Sequence, residues 1–191
     1  MPTTSTFTGD DFAQVSALVL AAWESGLDQD WDAPAGTLEW SCWTTADHTI
    51  DCVFSYSLFL ASRRQRDYPR FGELHALEGA TPADLLDGLR AVTNMLKAVI
   101  ITAEPGARAV IAQWPQVETG GPDDFAARGA LELILHAHDV CTGLGVTFAP
   151  PPDLCARLRD HTQPWPTQPP FTPTADAWGD LLERSGRPRP A

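Results

Sequence analysis

The chain has 191 residues, enough for one compact domain or one plus a small appendage at roughly 100–200 residues per domain. Lys and Arg total 13 against 25 Asp and Glu, and the net charge of −12 opposes binding to nucleic acid and to an acidic membrane surface. With 43% hydrophobic and 20% charged residues, the composition supplies a core and excludes a disordered tail.

Met1–Phe12 has neither the basic nor the apolar region of a signal peptide. The most apolar stretches, Val53–Ala61 and Met95–Ala103, fall short of the ~20 residues that a membrane span needs. A cytoplasmic protein is the expectation. Cys42, Cys52, Cys141 and Cys155 form no CxxC pair and read as free thiols. Basic charge rests on Arg, with Lys97 as the one lysine, and Ala, Pro and Asp are abundant. That bias matches GC-rich codons and a high-GC bacterial source.

In chain order, Thr8-Gly9-Asp10-Asp11 reads as a helix-capping start. Phe12, Val15, Leu18, Val19, Ala22 and Trp23 follow at helical period, and Gly26 closes this first helix. A loop with Pro34 and Gly36 leads to a second helix, expected from about Ser41–Thr45 to Arg64. Ile50, Val53, Phe54 and Leu58 mark one side of it; His48, Cys52, Ser55 and Phe59 mark another. The third helix starts where Thr81 caps, Pro82 takes the first turn and Asp84 answers the cap; Pro105-Gly106 stops it. Ala107–Trp114 reads as one short extended piece. Gly120, Gly121 and Pro122 introduce a fourth helix running to Gly143, with Asp123 and Asp124 at its positive end. Beyond it, Pro150–Asp153 starts a short helix, Gln163–Pro173 is irregular and Ala175–Ser185 is helical. The fold class expected is all-α: a helical bundle over residues 1–149, with residues 150–191 as a Pro-rich C-terminal extension packed on it.

The fourth helix carries Glu132-Leu-Ile-Leu-His136-Ala-His138-Asp139. Residues four apart share a helix face, so Glu132 and His136 can bind one metal ion from a rigid platform. Asp139, three residues on, can orient a ligand, whereas His138 points to the other side. The bland alternative pairs Glu132 with Arg128 and makes His136 a satisfied core histidine. A third ligand is best sought at His48 on the second helix, with Asp51 and Cys52 three and four residues later. Three protein ligands with an open position make a catalytic zinc pattern; Cys52 as a fourth would close a structural one. As a plain alternative Cys52 is a small buried hydrophobe. Trp114, Trp165 and Trp178 are candidate pocket walls, and His75 and His161 are expected at the surface and in tail packing. No GxSxG or P-loop is present, and Gly143-x-Gly145 follows a helix rather than a strand.

Two segments resemble the DinB-like metalloprotein superfamily. Trp40-Ser41-Cys42-Trp43-Thr44-Thr45-Ala46-Asp47-His48 is similar to its Trp, helix start and His eight residues on. Ala130–Val140 is similar to its Glu-x-x-x-His with Asp three residues later. The likeness is closest to the mycothiol-dependent maleylpyruvate isomerase branch, whose members often end near Leu-Leu…Gly-Arg, as Leu181–Arg187 does. Where the family has Pro-Gly before the Trp, this chain has Leu38-Glu39. The resemblance implies a DinB-like four-helix bundle holding a divalent metal, usually Zn2+, through His48, Glu132 and His136. It also implies a low-molecular-weight thiol co-substrate, which in actinobacteria is mycothiol. A metal site that activates a thiol can drive thiol addition, transfer or thiol-assisted isomerisation of a small electrophile. Asp51, Asp139 and Tyr56 are the candidates to move a proton. The same ligand set also suits a metal- or small-molecule-binding protein without turnover, or a metal-dependent hydrolase.

Overall fold

The computed structural model describes residues 6–104, 106–114, 116–165 and 171–189. Four long helices, α1 (Gly9–Glu24), α2 (Cys42–Ser62), α3 (Pro82–Thr102) and α4 (Pro122–Leu144), form a bundle. In it α1 and α2 each pack against both α3 and α4, so α1 and α2 stand diagonally opposed. Two shorter helices, α5 (Pro152–Thr162) and α6 (Ala177–Arg184), follow. Among the described residues, no helix is long and apolar enough to cross a membrane, and all four cysteines are free.

The helix starts are where their capping chemistry puts them. Asp11 accepts from the Thr8 N–H at 3.0 Å and from its hydroxyl at 3.1 Å, while Phe12, Val15, Val19 and Trp23 bury one face of α1. Ser41 accepts the Thr44 N–H at 3.1 Å and opens α2. Thr81 donates both its N–H and its hydroxyl to Asp84 ahead of Pro82, and the Gly121 N–H donates to Asp124 ahead of Pro122. α2 ends on Arg63 in the left-handed region (φ 54°) and α4 on Gly145 (φ 69°). Of the stop expected at Pro105-Gly106, residue 105 lies outside the described residues, as do residues 166–170 of the irregular tail segment.

The extended piece differs from expectation. Instead of one strand, β1 (Ala109–Ala112) pairs antiparallel with β2 (Glu118–Gly120), and the register breaks between Val110 and Ala112. Three residues are too few for alternation to show, which is why β2 escapes a reading of periodicity. The hairpin is tied to the end of α2 by Val110 N–H donating to Arg64 O at 2.7 Å. The C-terminal helices also lie against the bundle: Arg157 of α5 holds Asp11 of α1, and Arg187 just beyond α6 holds Asp139 of α4.

α4 is buried along most of its length, and one residue sets how closely α2 can approach it. A Cβ at Gly143 would stand 2.4 Å from both Cys42 Sγ and Pro34 O. Gly143→Ala is therefore expected to destabilise the protein by about 1–3 kcal/mol, the usual cost of overpacking a tight contact. Urea denaturation measures it; an unchanged midpoint would mean that the helices tolerate separation at this point.

Candidate metal centre

Two side-chain ladders with four-residue spacing face each other. α2 contributes His48, Cys52 and Tyr56; α4 contributes Arg128, Glu132 and His136. They run antiparallel, because His48 meets Glu132 and the His136 ring while Tyr56 meets Glu132 and Arg128. Glu132 is the hub. Its Oε1 lies 3.5 Å from His48 Nε2 and 3.2 Å from His136 Nε2, and its Oε2 accepts from the Tyr56 hydroxyl at 3.2 Å. Cys52 Sγ sits 3.4 Å from His48 Nε2. Donor atoms of His48, Cys52 and Glu132 all lie within 4.8 Å of one another, so this group can hold a metal ion. His136 adjoins it through the shared Glu132 oxygen.

The donor set fits a divalent cation. One imidazole, a carboxylate and a thiol are ligand types that zinc takes, and the group that converges is His48, Cys52 and Glu132; His136, expected as a ligand, lies outside it and reaches it only through Glu132. Glu132 is 16% exposed and His136 15%, whereas His48 keeps 36% of its side chain open to solvent. Trp40 lies edge-on to His48, with ring centroids 5.0 Å apart. The centre therefore has a closed end on α4 and an accessible end at His48.

Outer contacts fix the inner ones. Asp139, almost wholly buried, lies 3.1 Å from His136 Nδ1 and accepts from Arg187 Nε at 2.8 Å. A carboxylate at Nδ1 directs the imidazole's other nitrogen, Nε2, toward Glu132. Arg128 does not reach Glu132 directly: its Nε donates to the Tyr56 hydroxyl at 3.3 Å, and Tyr56 bridges the two.

Asp51, a candidate proton carrier by sequence, spends one carboxylate oxygen on the loop after α2. Its Oδ1 accepts the Leu74 N–H at 2.8 Å, and nearby Asp47 accepts from Ala76 N–H and contacts His75 Nδ1, so both anchor the loop after α2. That loop carries no periodic pattern from which the contact can be read. His138 packs against Trp178, away from His136's partners. His161 takes the Phe7 N–H and faces Asp124, a packing role. Trp165 lines a cavity, Trp178 packs in the tail and Trp114 is exposed.

No protein-family model, curated protein or solved structure matches the chain.

Charge among these side chains is arranged around the buried pair of Glu132 and His136. For Glu132, burial acts to raise the carboxyl pKa, but hydrogen bonds from His136 and His48 outweigh it and hold it below the usual carboxylate range. For His136, burial acts to lower the pKa, but hydrogen bonds to Asp139 and Glu132 outweigh it and push it up to about 9. A raised histidine stabilises fully below its unfolded value near 6.5 and loses that contribution as pH climbs through the folded value. A depressed carboxylate stabilises above its unfolded value, about 4.3, and loses the contribution on acidification. Metal-free protein is thus expected to be most stable between these limits and to lose stability from pH 6.5 to about 9. Denaturation midpoints measured in chelator across that range check it, with His136→Gln expected to flatten the alkaline limb.

Proposed function

We propose that the protein is a metal-dependent enzyme of the DinB-like kind, near its mycothiol-dependent isomerase branch. It would activate a low-molecular-weight thiol for transfer or addition to a small electrophile, or for thiol-assisted isomerisation. The observation that carries this reading is the meeting of His48 and His136, from two helices, on one oxygen of Glu132. A divalent ion bound there, Zn2+ in this reading, supplies the positive charge that keeps a coordinating thiol deprotonated at neutral pH.

The chain's own residues do the rest. Glu132 contributes the negative charge that offsets the ion, and Asp139 keeps His136 aimed. Burial pushes the Tyr56 phenol well above its ordinary value, so it stays protonated and can donate a hydrogen bond. Addition to an activated double bond forms a sulfur–carbon bond as the carbon–carbon π bond breaks, its electron pair passing to the conjugated carbonyl, and the proton lost by the thiol ends on the adduct; in transfer the leaving group departs with its electron pair and that proton. In isomerisation the same bond breaks again after rotation and the thiol is regenerated.

A second reading is a closed structural metal site, and the position of Cys52 favours it: a fourth donor lies 3.4 Å from His48 Nε2. Metal analysis of wild type, His48→Ala and Cys52→Ser separates the two, followed by titration of the cobalt-substituted protein with mycothiol. The enzyme reading expects metal lost in His48→Ala, metal kept in Cys52→Ser, and a thiol-dependent absorption change. Full metal occupancy in His48→Ala, or a cobalt spectrum that ignores the thiol, would remove the proposal.

A further inference from the structure

A cavity of about 280 Å³ lies between the β1–β2 hairpin and the N-terminal half of α4, lined by Arg108, Ile111, Glu118, Asp124, Arg128 and Trp165 among others. It adjoins the candidate metal centre, because Arg128 stands two hydrogen bonds from the Glu132 carboxylate, through the Tyr56 hydroxyl. The polar groups lining it are incompletely used. Among the described residues Arg128 makes that one side-chain hydrogen bond, from Nε, which leaves its two terminal nitrogens for a ligand. Arg108 donates from Nε and Nη2 to Thr119, which holds the guanidinium on the hairpin with Nη1 over. Opposite in charge, Glu118 has a buried Oε1 that lacks any hydrogen-bond partner among the described residues. Asp124 is already engaged by Gly121 N–H and His161.

The pattern selects a ligand chemistry. Two guanidiniums on one cavity suit a carboxylate, which accepts from their planar forks. A carboxylate lining the same cavity welcomes an N–H or O–H from the ligand while opposing a second negative charge. Ile111 and Trp165 add apolar and aromatic wall. We propose that this cavity is the binding subsite for a small organic acid whose carboxylate is flanked by an amine or hydroxyl donor, an α-amino acid group being the simplest form. The carboxylate lies on Arg108 and Arg128, and the donor lies on Glu118. This assignment rests on the proposed metal chemistry only for its consequence, that the remainder of the ligand extends along Tyr56 toward Glu132.

Isothermal titration of the full chain with three probes tests it: L-leucine, 4-methylpentanoate (the same skeleton without the amine) and glutarate (a dicarboxylate). Leucine is expected to bind saturably and about tenfold or more tighter than either of the others, the discrimination that follows when a buried acceptor is left unpaired. Arg108→Gln is expected to weaken leucine about tenfold, and Glu118→Gln to weaken leucine while leaving 4-methylpentanoate unchanged. Thermal unfolding confirms that each variant folds, and the three-probe ranking on wild type needs no variant at all. No saturable binding of leucine, equal binding of leucine and 4-methylpentanoate, or glutarate as the tightest ligand would each overturn the assignment. Titrations run with chelator and with added zinc keep the two readings apart. Leucine binding in chelator upholds the subsite even where metal analysis rejects the metal centre.

Discussion

Replacing Glu132 with glutamine is expected to abolish stoichiometric metal binding while leaving a folded protein. The substitution keeps the side chain's shape and removes the charge that His48 and His136 both face, at 3.5 and 3.2 Å. Loss of an outer partner alone costs roughly 10–100-fold in metal affinity, so loss of the shared carboxylate should exceed about 100-fold. The metal-free protein changes as well. Without the carboxylate, His136 loses one of the two hydrogen-bond partners that push its pKa up to about 9, and its titration midpoint should fall. Competition against a chromophoric chelator reads the first effect, and the His136 imidazole resonance followed against pH reads the second. A variant that binds zinc as tightly as wild type would mean that Glu132 is not a ligand.

The second large effect is expected at Asp139 and Arg187. Asp139 is 2% exposed and Arg187 10%, and their two-point contact joins α4 to the segment after α6. Removing one partner of such a buried pair leaves the other charged and desolvated, at a cost of about 3–5 kcal/mol. Asp139→Asn and Arg187→Gln should each destabilise by that order, and the double variant by much less than their sum. Asp139 also faces His136 Nδ1, so Asp139→Asn should weaken metal binding by about 10–100-fold. A double-mutant cycle on unfolding, run beside metal titration, measures both quantities. Additive unfolding effects would show that the two residues act independently.

The bundle and the shared face of Glu132 and His136 are legible in the chain because each rests on local spacing. Thr8, Ser41, Thr81 and Gly121 open helices with partners three residues on, and the apolar period carries each helix forward. The same period explains the approach of His136 to Glu132, and His48, the histidine of α2, is the third donor to seek there, a position that the likeness to a known motif also implies. Contacts made through tertiary packing left no such trace. Asp51 looks like a site residue by spacing, one turn from His48, yet an unpatterned loop brings Leu74 N–H to it. Cys52 is four residues from His48, but its choice between core and site depends on where α4 places Glu132. Arg187 reads in sequence only as part of a terminal motif; its partner Asp139 lies 48 residues earlier. Tyr56 standing between Arg128 and Glu132 likewise needs two helices in register before it has a meaning.

The two ladders sit on helices separated by the whole of α3 and the hairpin. An ion gripping both would act as a cross-link, closing a long stretch of chain and restricting the unfolded ensemble much as a disulfide does. In a protein whose thiols are all free, that cross-link would be removable. Chelation should then do what reduction does to a bridged protein, so that metal supply sets the working stability of the bundle.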